Sequence, residues 1–423
     1  MSKSLNAFFS FLFILSGTLS WAQSGTVSPY SRFGLGNLNS QTSSAEFAMG
    51  GLGMGFVDST RIHSFNPAGI ANINRTIYQF GVYGEVVQLR NQSATEYQNT
   101  SNLNYLALGF PITKKWKTAM GVKPFSSSGY ELNDREEIDS IGGVNYNYLG
   151  SGGINQVFWT NSIQPIKNLS IGITAFYQFG SLDRELTVRF DSTDHHNVYR
   201  RNRTHLSDLG YELGLQYQFR GPLNGDWVFA AQYSPSLNLR ANKEVLVYTF
   251  TDFSGFVSNK DTLQNNSSSG EVQLPSGWSV ALSRSQGTQW MWGAQFQTKN
   301  WSEYSNFGAR DSLGASFRFS TGASFTPNHR AITSYLARVN YRAGFYFGQT
   351  HLNLRNQALS DIGISFGVGL PLRSSRQNVS EINLGVAFGK MGTTDQSLIQ
   401  ENYFRFKLGL VLNDKWFIKR RIN

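Results

Sequence analysis

"NYFRFKLGLVLN", residues 402–413, alternates without a break. Phe404, Phe406, Leu408, Leu410 and Leu412 fall on one parity, and Tyr403, Arg405, Lys407, Gly409 and Val411 on the other. Side chains alternate faces along a β-strand, so one face here is continuously apolar and the other small, polar or basic. The pattern recurs in "SIGITAFYQF" (170–179), "DIGISFGVGL" (361–370) and "EINLGVAFG" (381–389). In "RVNYRAGFYF" (338–347), Val339, Tyr341, Ala343, Phe345 and Phe347 oppose Arg338, Asn340, Arg342, Gly344 and Tyr346. A soluble β-sandwich turns its apolar face inward and its charges to water. Here the second face is glycine-rich with sparse charge. That polarity predicts an all-β, antiparallel transmembrane barrel, with lipid outside and a crowded polar lumen.

Composition agrees. Charged residues make up 15% and aromatic residues 14% of the 423 residues, with 42 glycines and 19 tyrosines. A soluble protein carries more charge. The 37 basic and 27 acidic residues give a formal net charge of +10, but the basic residues are scattered. Nucleic acid is therefore not expected as a partner. Residues 1–22 read as a secretory signal peptide: one lysine, the apolar "AFFSFLFILSGTLSW", then small residues up to Ala22. With no cysteine in the chain there is neither a disulfide framework nor a lipid-modified cysteine. No second apolar run is long enough for a transmembrane helix. An exported chain without a helical anchor, and with this alternation, is expected in the bacterial outer membrane in contact with its lipids.

Roughly fourteen alternating segments fit between Ile77 and Leu412. Residues 76–423 allow about 25 residues for each strand with its connection, enough for membrane strands that project beyond the bilayer. Residues 111–118 and 165–168 read as short turns. Residues 191–208 and 258–270 read as long polar loops on the opposite side, the usual asymmetry of such barrels. Trp116, Trp227 and Trp416 sit near strand starts, as an interfacial girdle requires.

Residues 23–75 lack alternation. Their "HSFNPAGIAN" (63–72) predicts a short helical turn, with Asn66 as cap, Pro67 at the first position, then Ala68, and Gly69 letting it end. A compact non-strand segment cannot leave its backbone polar groups against lipid, so it is expected inside the lumen as a plug, or hatch.

These residues also carry a resemblance. "AMGG" (48–51) followed by "FNPAGIA" (65–71) resembles the N-terminal signature of the FadL-type outer-membrane transporter family. "LPSGWSVALS" (274–283), "WGAQFQTKNWSEY" (292–304) and "YRAGFYF" (341–347) resemble later family segments in the same order. The resemblance implies a fourteen-stranded barrel, an N-terminal hatch and uptake of hydrophobic or amphipathic small molecules such as fatty acids, which leave the lumen sideways into the membrane. Some relatives of this fold are instead non-transporting barrel subunits of protein secretion or assembly complexes. The alternative partners are then outer-membrane proteins docked on loops and on the basic tail.

No catalytic group is expected: six histidines occur, and none is marked by a partner serine. His351 alternates with leucines and can face the lumen. "DSTDHHN", with Asp191, Asp194, His195 and His196, reads as a solvated loop, so no metal is expected, and no cofactor. Arg338, Arg342, Arg405 and Lys407 fall on the lumenal parity. They are expected either to pair with lumenal acids or to hold the carboxylate of an amphipathic ligand. Glu85, lumenal on the first strand, is expected to meet Arg405 or Lys407 across the closing seam, because a lone buried charge is costly.

Overall fold

The computed structural model describes residues 25–63, 65–192, 194–222, 225–253, 256–373 and 379–414. The expected signal peptide and Trp416 lie outside them. Fourteen antiparallel strands close into a barrel. They are β1 (Thr76–Arg90), β2 (Thr95–Pro111), β3 (Trp116–Ser127 continued by Tyr130–Ile138), β4 (Gly142–Ile166), β5 (Leu169–Phe190), β6 (Asn197–Gly221) and β7 (Gly225–Ser234 continued by Leu237–Phe253). There follow β8 (Phe256–Leu274 continued by Gly277–Gln286), β9 (Trp290–Asn300), β10 (Ala315–Phe325), β11 (Asn340–Leu354), β12 (Gln357–Arg373), β13 (Val379–Met391) and β14 (Gln400–Asp414). The first strand pairs with the last, from Thr76 opposite Asp414 to Arg90 opposite Gln400, which removes the sheet edge.

The alternation becomes an outside and an inside. On β14, Phe406, Leu408 and Leu412 are each 41% exposed while Lys407 between them is 2% exposed. Tyr78, Phe80 and Val86 on β1, and Phe345 and Phe347 on β11, continue the exposed apolar belt. No water-facing sheet can leave so many large apolar groups uncovered, so the belt is the lipid-facing band. Trp116, Trp290 and Trp292 are exposed near the rim where the chain enters β1 and leaves β14, hereafter the lower rim. Trp227 packs edge-on to Trp292 there, with ring centroids 5.7 Å apart.

Residues 191–208 and 258–270 depart from expectation. They are not long loops. Most of 191–208 is β6, paired with β5 and β7, and 258–270 is β8, paired with β7. Above the belt a strand has no lipid to face, so the apolar alternation that marks membrane strands fades while the hydrogen-bonded ladder continues. β3–β8 therefore rise as a polar sheet above the belt. The longest connection described at the lower rim, residues 326–339, precedes β11 instead.

Residues 25–63 and 65–75 lie within the barrel and run down it. Pro29–Arg32 forms a 3₁₀ turn at the upper end, where Ile399 N donates to Tyr30 Oη at 2.9 Å. Ser44–Phe47 is one turn of helix, α1, closed by a capping box between Ser43 and Glu46. Pro67–Asn72 is the expected turn, in 3₁₀ form, with Ala68 N donating to Asn66 Oδ1 at 3.0 Å. It lies against β3–β6 near the lower rim. Glycine permits this approach: a Cβ at Gly172 would collide with the Pro67 backbone, and one at Gly214 with the Asn66 side chain. On the opposite wall α1 packs on β12–β14.

Candidate lumenal binding site

Above α1 the lumen holds a cavity of about 380 Å³. Its walls include Phe47, Tyr83, Phe125, Phe317, Trp301 and Tyr346, and its polar groups include Lys123, Arg318, Arg405, Lys407, Glu212 and Asp361. Each cation arrives by strand parity: Lys123 from β3, Arg318 from β10, Arg405 and Lys407 from β14.

Two of the cations are neutralised by carboxylates. Arg405 Nε lies 3.2 Å from Glu85 Oε2 across the β1–β14 seam, where the two residues are register partners, and its guanidinium sits 3.6 Å over the Tyr403 ring. The expected seam pair is thus present, through Arg405. Arg318 Nη1 lies 3.1 Å from Asp361 Oδ2 and stacks 4.0 Å over Tyr346. Lys407 differs. Its Nζ donates to Thr42 O at 3.0 Å and to Ser40 O at 3.5 Å, and it faces the ring of Phe47 at 5.0 Å. Backbone carbonyls of the N-terminal segment, not a carboxylate, satisfy it. Lys123 sits over the Phe158 ring at 5.2 Å, with no carboxylate within ion-pair distance among the described residues. His351 closes the upper end of the cavity, its ring 5.0 Å from that of Trp301. It lies above the belt, and burial pushes its pKa down to about 4, so the imidazole is neutral at pH 7.

The other two expected residues are elsewhere. Arg342 lies below the cavity, its Nη2 2.7 Å from Glu381 Oε1 and its Nη1 2.6 Å from Asn383 Oδ1. Arg61 of the N-terminal segment holds the second oxygen of Glu381 at 2.7 Å and approaches Asp58 at 3.6 Å. This buried chain ties the segment to β11 and β13. Arg338 is not lumenal at all. β11 begins at Asn340, and Arg338 ends a 3₁₀ turn, Leu336–Arg338, in the lower-rim connection. Strand parity does not reach Arg338, since alternation holds only within the ladder and the ladder begins at Asn340.

The wall beside the cavity is incomplete. β2 pairs with β3 only from Leu106 opposite Val122 to Pro111 opposite Lys117. Above that, Asn37 and Leu38 take Ser127 and Ser126 of β3 as partners, and Asn39 N donates to Phe125 O at 3.0 Å. On the other side, Asn102 Nδ2 donates to Gly25 O at 2.9 Å and Asn104 Nδ2 to Thr42 O at 3.1 Å. The N-terminal segment is therefore the bridge across this gap, and Leu103 and Phe125 at its margins line the cavity. Lys123 and the gap were not read from the sequence, although a signal existed. Pro124 sits two residues above the last β2–β3 pair, and proline within a sheet marks an edge or a bulge.

A closed antiparallel barrel with an apolar belt, fourteen strands and an N-terminal segment in its lumen has the FadL-type fold. Solved structures agree. The chain is similar to the Pseudomonas putida toluene transporter TodX, with TM-score 0.59, 14% identity, and coverage of 89% of this chain and 99% of the other. A Pseudomonas aeruginosa FadL homologue gives TM-score 0.57, 12% identity, and coverage of 88% and 97%. The CymD monoaromatic hydrocarbon channel gives 0.54, 12%, and coverage of 90% and 99%. None of the curated proteins matches the chain. The BamG family model matches residues 1–423, and the chain belongs to the BamG family.

Proposed function

We propose that this protein is a bacterial outer-membrane barrel that binds hydrophobic or amphipathic small molecules in its lumen and passes them sideways through the wall. Residues 23–75 are its hatch, with Asn66, Pro67, Ala68 and Gly69 fixing the lower turn. The observation that carries this reading is the aromatic-walled cavity beside the β2–β3 gap, which among the described residues the hatch bridges. Within the cavity Lys123, Lys299 and Lys407 have no carboxylate within ion-pair distance among the described residues, and of these Lys123 and Lys407 are the buried ones, so an acidic headgroup has its best anchors there. Arg405, committed to Glu85, is a weaker candidate, and Arg342 and Arg338 are set aside as lumenal ligand contacts. The solved transporters and channels of this fold are named for toluene or monoaromatic hydrocarbons, in keeping with a hydrophobic cargo, while a fatty acid remains one candidate cargo.

A second reading has its own support. β3–β8 stand above the belt as a polar sheet, and among the described residues two of its edges are largely unpaired: Tyr130–Ile138 takes its ladder partners from β4, and Phe256–Leu274, beyond its ladder with β7, takes ladder partners at Val272 and Gln273. Such a surface suits a barrel that serves as a subunit of an outer-membrane protein complex. Purification in mild detergent, with mass spectrometry of bound small molecules and of co-purifying proteins, separates the two. A stoichiometric apolar ligand lost in a Lys123→Gln variant supports the first reading. A stoichiometric protein partner with an empty lumen overturns it in favour of the second.

A further inference from the structure

Residues 326–339 form the longest described connection at the lower rim, and Asn328 N closes its base by donating to Ala337 O at 2.7 Å. The loop does not fold under the barrel. Tyr341, on the lipid-facing parity of β11, donates to Leu336 O at 3.2 Å, and Tyr335 Oη donates to Pro371 O of β12 at 3.2 Å. Between the loop and β12 lies a pocket lined by Ile332, Thr333, Tyr335, Arg338, Pro371 and Leu372. Leu372 shares the outward parity of the exposed Ile362, Ile364 and Phe366, so the pocket opens on the apolar belt.

Two features of this loop run against an aqueous location. Ile332 is 91% exposed and Leu336 67% exposed, beside the half-exposed Tyr335. And the loop holds Arg330 and Arg338 but no acid. Arg338 lies 5.2 Å over the Tyr335 ring, and its Nε is buried without a hydrogen-bond partner. No ion pair engages it among the described residues. An arginine fork needs a planar or tetrahedral oxyanion to use its donors. An apolar tip, an aromatic at the belt edge and an unengaged guanidinium at the membrane–water boundary together match a phospholipid, with acyl chain on Leu372 and Ile332 and phosphate on Arg338.

We propose that residues 326–339 form a phospholipid-binding site at the lower rim, with Arg338 taking the headgroup phosphate and Ile332 seated in the leaflet. The inference rests on the membrane-barrel reading. The test uses the absence of cysteine, which makes single labelling clean. Ile332→Cys and, as a belt control, Phe366→Cys are labelled with an environment-sensitive fluorophore. The full-length protein is then placed in vesicles of phosphatidylethanolamine and phosphatidylglycerol. Lipid carrying a spin label near the headgroup should quench the probe at 332, and iodide should not. Quenching at 366 with an iodide-accessible, unquenched 332 overturns the proposal alone. Loss of lipid quenching at both positions overturns the membrane reading as well. Native mass spectrometry supplies the second arm. Retained phosphatidylglycerol should fall several-fold in Arg338→Gln, and millimolar inorganic phosphate should not displace it. Unchanged retention, displacement by phosphate alone, or a protein bound in place of lipid would each overturn the site.

Discussion

Two seams of the same wall are held together by different means. β1 and β14 meet along their whole length, and the lumenal charges at that seam, Glu85 and Arg405, neutralise each other. β2 and β3 meet only near the lower rim, and higher up the contact passes through Asn37, Leu38, Asn102 and Asn104 on the N-terminal segment or facing it. The first seam is backbone ladder plus ion pair. The second is a two-residue ladder on the β3 side and single side-chain hydrogen bonds on the β2 side. The difference teaches that the wall is a continuous ladder at one seam and interrupted at the other, and the interrupted one is the seam beside the cavity.

That contrast can be broken most forcefully at the closed seam. Glu85→Gln leaves Arg405 buried without its carboxylate, and should cost about 3–5 kcal/mol. Urea unfolding in lipid vesicles measures it; a loss below about 1 kcal/mol would mean the pair does not hold the seam. Next, Leu408→Arg on the lipid face of β14 should cost about 2–4 kcal/mol, whereas Leu412→Arg, near the lower rim, should cost about 0–1 kcal/mol. Equal losses would contradict the belt position. At the bridged seam, Asn102→Ala should cost only about 0.5–1.5 kcal/mol, the net worth of one hydrogen bond, while raising ion conductance in planar bilayers if the bridge occludes the gap. Unchanged conductance would make the gap a sealed one.

The smallest effect is a pH dependence at the top of the hatch. Glu401 lies above the belt, its Oε1 accepting from Ser28 Oγ at 2.5 Å. Burial pushes its carboxyl up to about 7. A carboxyl raised in the folded state stabilises it fully below its ordinary value of 4.5, and that contribution is lost as pH rises through about 7. Limited proteolysis of residues 25–40 should therefore quicken between about pH 4.5 and 7, and Glu401→Gln should abolish the change. A pH-independent cleavage rate in the unmodified protein would exclude this carboxyl as the anchor.

Much of this was legible in the sequence because lipid enforces period two. The belt parity of β14, β1 and β11, a count of roughly fourteen strands and a basic partner for Glu85 on β14 follow from alternation and the cost of a lone charge, whereas the choice of Arg405 over Lys407 is set by the register of the seam. The turn at Pro67–Asn72 follows from Asn66-Pro67 for local reasons. What the pattern could not carry was structure outside the lipid. β6 and β8 above the belt read as loops because polar faces leave no apolar period. Arg338 read as lumenal because parity was carried past the end of the ladder. The β2–β3 gap depends on pairing across the sheet, which one strand's residues do not encode, apart from the hint at Pro124.

The ties of the hatch to the far end of the chain bear on how the protein is made. Lys407 holds Thr42 O, and Glu381 holds Arg61, so the first and last parts of the sequence meet across 365 and 320 residues. Contacts of such separation form late, after the loop-closure entropy of nearly the whole chain has been overcome. A chain lacking β13 and β14 would lose Glu381 and Lys407, and with them both of these ties on the N-terminal segment.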